Sequence, residues 1–384
     1  MLPEAAIELP ANSTDPSAGQ RHLPYLDGLR ALAALFVVGH HAILQVDFSR
    51  QPLTGPLRTM LRPLFFGHYA VVLFIVLSGF CLMLPVLRGD GRLRGGYLQF
   101  LKRRSWRILP PYYFAMGLSL LLVGTLVGQK TGTHWDASLP VSARSIWTHL
   151  VMLHDALGED LSINHVFWSI AVEWRIYLVF PLLLWLWRKL GPLAATLATI
   201  VTSYLLFAVF EKTIHASLHA HYLGLFGMGM LAATVVFSES GVLEQVKRWP
   251  WLLITLVAGF LLVAVSIVNL QSNTLAPYQY RDAFAGLLSM SLLIAVSCDE
   301  SFLLTRLLAW RPLVFIGTFA YSIYLIHAPL LQVLWQYPLA SLQDKPLMMF
   351  LSLATLGTVL IVAASYLFFL ACERPFLKLR KRRS

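Results

Sequence analysis

The first apolar segment of the chain, YLDGLRALAALFVVGHHA, carries ionisable side chains at both ends of a stretch long enough to cross a membrane. Arg30 and His41 are eleven residues apart. On an α-helix this is about three turns, which places them within about 20° of one face and about 16.5 Å apart along the axis. His40 points about 80° away from Arg30. Because an ionisable residue within a span costs about 3 kcal/mol or more, the Arg30–His41 pair is a functional candidate.

This spacing suits a long, thin substrate with an anionic head and a reactive far end. Acyl-coenzyme A has that shape, since its phosphates are separated from its thioester by a pantetheine arm. Arg30 can bind phosphate oxygens through its forked guanidinium, and His41 can take the proton of a hydroxyl that attacks the thioester. The alternative is structural: Arg30 reaches the membrane surface and pairs with Asp27, and His41 is a hydrogen-bonded packing residue.

A second candidate element is the basic segment KRRSWRILPPYY, which leads into the third apolar segment. Its cations include Arg104 and Arg107, together with Lys102 and Arg103. Such a cluster can set membrane topology or contact anionic lipid. A phosphate site differs from those two roles because individual arginines then matter.

Two further titratable residues lie inside apolar segments. Glu173 is about eight residues, or about 12 Å, inside the outer end of the fourth segment. His327 lies sixteen residues beyond Arg311 in the ninth segment and also reaches the outer half. Glu173, His327 and His41 are therefore expected to converge at one level, which favours a reaction site or proton relay over a structural network. Glu173 or His327 is expected to orient His41 or to bind the acceptor.

The elements that position these residues are predicted to be membrane helices. Of the 384 residues, 57% are hydrophobic and 13% charged, which is typical of the membrane class and not of soluble domains. The predicted fold is an all-α, polytopic helical bundle embedded in the lipid bilayer. Ten spans are predicted, at 26–46, 66–87, 108–128, 165–188, 192–210, 219–237, 251–270, 281–298, 312–337 and 347–371.

Charge in the connecting segments predicts the topology. Basic residues cluster in the segment 88–107 and in the tail, whereas the opposite loops carry few, except for 47–65. By the positive-inside rule both termini are cytoplasmic. The net charge of +11 is explained by these clusters, so no nucleic-acid partner is expected. Residues 1–22 form a polar cytoplasmic leader without signal-peptide features, 23–377 the membrane domain and 378–384 a basic cytoplasmic tail.

The long outer loop 129–164 and the residue after it hold histidines and acids that are scattered along the sequence. The pattern favours a solvated acidic loop, and no metal site is predicted because no ligand spacing is present. The three cysteines lie far apart and are interpreted as packing residues. The residues concerned are His134, His149, His154, Asp155, Glu159, Asp160 and His165, and Cys81, Cys298 and Cys372.

These segments together resemble the membrane-bound acyltransferase-3 family. RALAALFVVGHH is similar to its Arg-x10-His signature, LFIVLSGF to its second-helix motif, and RRSWRILPPYY to its basic RxxR segment. WSIAVEWRIYLVFPLL, AYSIYLIHAPLL and the closing ERPF resemble its later motifs. The resemblance runs in order over residues 24–377, and no single motif carries it.

The resemblance implies transfer of an acyl group, acetyl by default, from cytoplasmic acyl-CoA to an acceptor hydroxyl in a bacterial inner membrane. His41 is then the proposed catalytic base, acting either in direct transfer or after an acyl-enzyme step, and Arg30 is its donor-binding partner, with Arg104 and Arg107 near the phosphates. The acceptor is a carbohydrate, a glycolipid or a small hydroxylated metabolite. Acyl-CoA is a substrate, and no permanently bound cofactor is expected.

Several residues of these motifs are expected to support the site. They are Asp27, Ser78, Tyr324 and Glu373, of which Ser78 is interpreted mainly as a small packing residue and Glu373 as an ion-pair partner of the basic loop. The family commonly has paired glutamates where Glu173 is followed by Trp174, which weakens any role for a second carboxylate. The soluble esterase-like domain fused to some relatives is not found, so the chain is expected to act alone or with a partner.

A different class of protein also accounts for buried histidine, arginine and glutamate. A multi-pass transporter or proton-coupled flippase would use them as a relay, and it predicts inverted repeats with interrupted spans in matching halves. The sequence shows no such symmetry on inspection.

Overall fold

The structure is a computed structural model, which describes residues 23–49, 51–89, 91–213, 218–238, 240–272, 278–299 and 302–383. Within these ranges every regular element is a helix, which confirms the all-α prediction. The first nine helices are α1 Pro24–Leu44, α2 Gly55–Leu61, α3 His68–Leu87, α4 Gly96–Leu122, α5 Ala143–Leu150, α6 Trp168–Leu190, α7 Pro192–Thr213, α8 Tyr222–Phe237 and α9 Gly241–Lys247.

The second half of the chain continues in the same way. Its helices are α10 Trp251–Ser272, α11 Tyr278–Cys298, α12 Leu303–Leu308, α13 Arg311–Gly317, α14 Ala320–Gln336, α15 Pro346–Ser352, α16 Thr358–Phe368 and α17 Arg374–Arg383. Short π-helical turns join α15, α16 and α17 into one helix, so the last predicted span and the described part of the basic tail are continuous. The predicted leader 1–22 lies outside the described residues.

Seven described helices are long and apolar enough to cross a membrane, and up to nine spans result if each of two bent helix pairs is counted as one. These helices leave large apolar side chains exposed, such as Leu197 at 62% and Leu182 at 60%, as expected of a surface that a bilayer covers. The multi-pass architecture is therefore confirmed. The count of ten spans and the cytoplasmic termini stay predictions.

Two predicted spans differ from the observed helices. The third begins at Gly96 and not at 108, because the left-handed Gly95 (φ 74°) ends the preceding turn and no helix breaker follows until Pro110. The basic segment is therefore helical and reaches into the bundle. The ninth is broken at Thr318, where α13 and α14 meet at an angle of 73°.

The core is held together by close helix contacts at glycines. A Cβ placed on Gly79 of α3 would lie 2.1 Å from the Phe226 carbonyl oxygen of α8, and one on Gly229 of α8 would lie 2.0 Å from the Val76 carbonyl oxygen. Such small residues let two membrane helices approach to backbone contact. The larger apolar cluster includes residues of α1, α3 and α8. A smaller one packs α1 against α14 and α15 through Val38, Ile323 and others. Helix α1 therefore contributes to both clusters.

Candidate functional site

A cavity lined by both polar and apolar side chains lies between α1, α3, α4, α6 and α14, and its empty space, including the part open to solvent, amounts to about 1040 Å³. Most residues that the sequence analysis selected line it: Asp27, Arg30, Ser78, Arg104, Arg107, Glu173, Tyr324 and Glu373. They come from segments far apart in sequence, and the bundle brings them to one space. The apolar lining comes mainly from α3, including Val71 and Leu82.

Three arginines line this cavity. The Arg30 guanidinium donates hydrogen bonds to Asp27 and to the Cys81 sulfur at 3.0 Å, and Arg104 lies 5.9 Å from the centre of the Tyr177 ring. Arg107 is close enough to Glu373 to interact with it electrostatically. Three guanidinium groups around one cavity favour an anionic ligand, because each stays charged and binds oxyanions in a forked geometry.

The broken ninth span adds a further anion-attracting feature. Gly317, Thr318 and Ala320, at the break between α13 and α14, all line the cavity. The first residue of α14 is Ala320, so the amino-terminal end of a seventeen-residue helix faces this space. Backbone N–H groups and the helix dipole at such an end favour negative charge.

Glu173 lies at a different level from the one predicted. Its carboxylate accepts hydrogen bonds from Ser78 Oγ at 3.0 Å and from the Tyr177 hydroxyl, so it does not orient His41. The predicted shared level holds for His41 and His327, whose ring centres are 5.1 Å apart, and it is wrong for Glu173. The reason is that α6 starts inside the bundle: His165, eight residues before Glu173, is already beside His41. From the first residue of α6, Trp168, to Glu173 the helix rises by about 7.5 Å.

Ser78 and Glu373 both line the cavity and make hydrogen bonds there. Ser78 is more than a packing residue, since its hydroxyl lies 2.8 Å from that of Tyr177 as well as bonding Glu173. Glu373 lines the cavity, where it accepts a hydrogen bond of 2.6 Å from Ser322. Its electrostatic neighbour Arg107 belongs to the basic segment, which agrees with the expectation that Glu373 interacts with that segment.

The two candidate histidines lie beyond the cavity, past Tyr324. The centre of the Tyr324 ring is 5.9 Å from that of His327, which in turn is 5.1 Å from that of His41. The Tyr324 hydroxyl contacts Ser169 Oγ at 2.7 Å and donates to the Val166 carbonyl at 2.9 Å. This tyrosine therefore stands between the arginine-lined cavity and the histidines.

His41 belongs to a group of histidines that sequence reasoning missed. Its Nδ1 atom is 3.3 Å from Nε2 of His165, and the His134 ring lies 5.5 Å from that of His41, centre to centre. Burial lowers the pKa of His134, and burial together with the neighbouring His134 and His327 lowers that of His165 well below its ordinary value. Both imidazoles are therefore neutral at pH 7.

The outer loop is folded against the bundle, so the interpretation as a solvated acidic loop is wrong. Asp155, His149 and His154 are completely buried. Both oxygens of Asp155 accept hydrogen bonds from the guanidinium of Arg175 on α6. Trp174 stands where the family commonly has a second carboxylate. The next residue, Arg175, anchors this loop.

His40 makes its hydrogen bond outside the histidine group, although its ring centre is 4.8 Å from that of His41. Its Nδ1 atom is 2.6 Å from the Leu64 carbonyl, and its ring occupies the space that a side chain at Gly67 would need. His327 donates from Nδ1 to the backbone carbonyls of Ile323 and Tyr324. Its Nε2 atom therefore carries the lone pair.

Comparisons with known proteins agree with the residue pattern. A family model described as an acyltransferase domain matches residues 23–370. YrhL of Bacillus subtilis (strain 168), a provisionally named peptidoglycan O-acetyltransferase, is 25% identical over 331 residues. The peptidoglycan O-acetyltransferase OatA of Listeria monocytogenes and the O-acetyltransferase OatA of Staphylococcus aureus (strain NCTC 8325 / PS 47) are each 23% identical.

The similarity extends over 81% of this chain in all three cases. The chain spans about half the length of these relatives, 49% to 51%. No solved structure matches it significantly.

Proposed function

The chain belongs to the acyltransferase-3 family, and from this premise we propose that it is a membrane O-acyltransferase that moves an acetyl group from acyl-CoA to an acceptor hydroxyl. It is a multi-pass protein of the bacterial membrane, and we place it in the inner membrane. The acceptor is a carbohydrate or a related hydroxylated molecule. The names of the relatives from Listeria and Bacillus support peptidoglycan as the first acceptor to test.

The observation that carries this proposal is the path from the arginines to the histidines. The cavity holds Arg30, Arg104 and Arg107 together with the amino-terminal end of α14, and it extends to Tyr324. From there the rings of His327 and His41 follow in contact. If the phosphates of acyl-CoA bind at the arginines, its pantetheine arm points towards Tyr324. The thioester must then pass Tyr324 to reach His41.

The hydrogen bonds around His41 suit a general base. Ser138 Oγ lies 3.0 Å from Nδ1 of His165 and also accepts the backbone N–H of His165. When His165 donates from Nδ1 to Ser138, its Nε2 atom accepts the Nδ1 proton of His41. The lone pair of His41 is then on Nε2, where a base needs it.

The reaction follows from this tautomer. The acceptor oxygen attacks the thioester carbonyl carbon while His41 Nε2 takes the hydroxyl proton. The carbon–sulfur bond then breaks, and the coenzyme A thiolate leaves and takes up the proton from His41. The products are the O-acyl ester and free coenzyme A, and His41 returns to its neutral form.

The experiment measures whether the thioester is consumed. Purified protein in nanodiscs receives acetyl-CoA labelled in the acetyl group and an envelope extract that contains peptidoglycan fragments. Release of coenzyme A together with transfer of label supports the proposal, and His41→Gln is expected to abolish both. His40→Gln is the matched control and should keep the activity. Passage of label through the membrane without coenzyme A release would replace this proposal by the transporter alternative.

A further inference from the structure

The histidine group has the geometry of a metal site. One ring nitrogen from each of His41, His134 and His165 lies within 4.8 Å of the other two. His41 Nδ1 and His165 Nε2 are 3.3 Å apart. This separation matches the edge of about 3.3 Å of a tetrahedron with zinc–nitrogen bonds of about 2.0–2.1 Å.

The surroundings of the three imidazoles also suit a cation. His165 is fixed through its other nitrogen by Ser138 Oγ, the kind of outer contact that orients metal-binding histidines. His134 and His41 are partly exposed, so an ion can enter at His134. The other titratable groups that interact electrostatically with His41 and His165 are the histidines His40 and His327.

We propose that His41, His134 and His165 bind a zinc-class divalent ion, with a water molecule at the fourth position, and that this ion blocks the acyltransferase. The block rests on the proposed function, because a metal on Nδ1 of His41 fixes the proton on Nε2 and removes the base. The site comes from three separate segments: α1, the turn His134–Ser138 and the residues before α6. Metal binding and acyl transfer therefore exclude each other at His41.

Magnesium and calcium are not expected to compete. Imidazole nitrogens suit zinc, whereas magnesium and calcium prefer oxygen ligands. The neutral state of His134 and His165 at pH 7 leaves their lone pairs available, because metal binding requires unprotonated imidazole.

The test titrates zinc chloride into metal-free protein in nanodiscs against a chromophoric chelator, and repeats the titration with cobalt(II) to observe its visible absorption bands. Wild type is expected to bind one ion per chain and to give the strong visible bands of tetrahedral cobalt. His134→Gln should weaken binding at least tenfold, and His134→Asp, which retains a ligand atom, should recover part of it. His22→Gln is a matched control that removes a histidine outside the described residues.

Activity provides a second readout. Zinc should lower coenzyme A release by wild type at least tenfold and a chelator should restore it, whereas His134→Gln should keep basal activity and lose zinc sensitivity. Equal zinc binding by wild type and His134→Gln, or no binding by wild type, overturns the proposed site. If zinc binds as expected but acetyl-CoA is never consumed, the metal site stands and the proposed acyl transfer fails.

Discussion

At the scale of single residues, the chemistry of a histidine in this fold depends on the hydrogen-bond partners of its two ring nitrogens. Nδ1 of His40 contacts the Leu64 carbonyl. Nδ1 of His41 instead contacts Nε2 of His165, whose own Nδ1 contacts Ser138 Oγ. Two histidines adjacent in sequence thus have different chemistry, which the angle of about 100° between successive helical residues already implies. The sequence could distinguish His41 from His40, but it could not reveal His165, which lies in the connection before α6.

We predict that His165 positions His41. His165→Phe preserves the ring volume but cannot accept the Nδ1 proton of His41, so kcat should fall by about 10- to 100-fold, which is part of the usual contribution of a general base. KM for acetyl-CoA should stay within about twofold, because the proposed donor site is in the cavity and not at the histidines. Steady-state kinetics with monodisperse protein checks this. An equal change in kcat and KM, or a loss of folded protein alone, would contradict a positioning role.

At the scale of elements, the sequence predicts the long apolar helices because their periodicity and length are local properties. It does not predict the break at Thr318 or the folded outer loop, since these depend on tertiary contacts. The early start of α4 follows from local features instead, namely Gly95 and the absence of a helix breaker before Pro110. Glu173 shows the consequence. Its depth was counted from a helix end assumed to lie at the membrane surface, but residues 163–167 are buried.

The contact between α3 and α8 can be tested by adding one methyl group. Gly79→Ala would place Cβ 2.1 Å from the Phe226 carbonyl oxygen, so the helices must separate at a cost of about 1–3 kcal/mol. Gly117→Ala on α4 is the matched control, since nothing lies within 4 Å of its added Cβ. Unfolding titrations in mixed micelles should show lower stability for Gly79→Ala only. Equal effects of both changes would rule out the close contact as the cause.

The outer loop is expected to loosen in acid. The rings of His149 and His154 stack with centres 3.8 Å apart, and burial lowers their pKa to about 4 and about 3. An unfolded loop, with pKa values near 6.5, binds protons first as the pH falls. The stability of the loop should therefore be full above about pH 6.5 and decline towards pH 4.

Hydrogen exchange in nanodiscs checks this expectation. Protection factors of the amides in 143–167, corrected for intrinsic rates, should be lower at pH 5.5 than at pH 7.5. A double variant, His149→Phe with His154→Phe, should retain protection at both values. The same decline in the double variant would assign the pH dependence to other groups.

At the scale of the whole molecule, one end of the bundle is basic and the other carries the folded loop and the histidine group. The cavity reaches from the arginines towards that second end, which is the arrangement needed to link a donor on one side of a membrane to an acceptor on the other. Composition predicts the membrane class and the charge pattern predicts the orientation. Neither predicts the cavity, which exists only where five helices meet.

Orientation follows from the same charge pattern and can be measured with exposed arginines. Arg92→Cys lies in the basic loop and Arg144→Cys on α5, and both side chains are exposed. In intact cells a membrane-impermeant maleimide should label position 144 and should reach position 92 only after permeabilisation. Mass spectrometry of labelled peptides separates these sites from the native cysteines. Labelling of position 92 in intact cells would show that the predicted topology is inverted.

The most direct test of the central claim, an arginine site for the donor head and His41 for the thioester, compares two donors and two variants. Acetyl-CoA carries the phosphates and acetyl-pantetheine lacks them. Arg30→Gln should raise KM for acetyl-CoA about 10- to 100-fold, as expected for a lost charged hydrogen bond, and leave acetyl-pantetheine unchanged. His41→Gln should lower kcat for both donors alike. Equal effects of Arg30→Gln on both donors, or full activity of His41→Gln, would contradict the account.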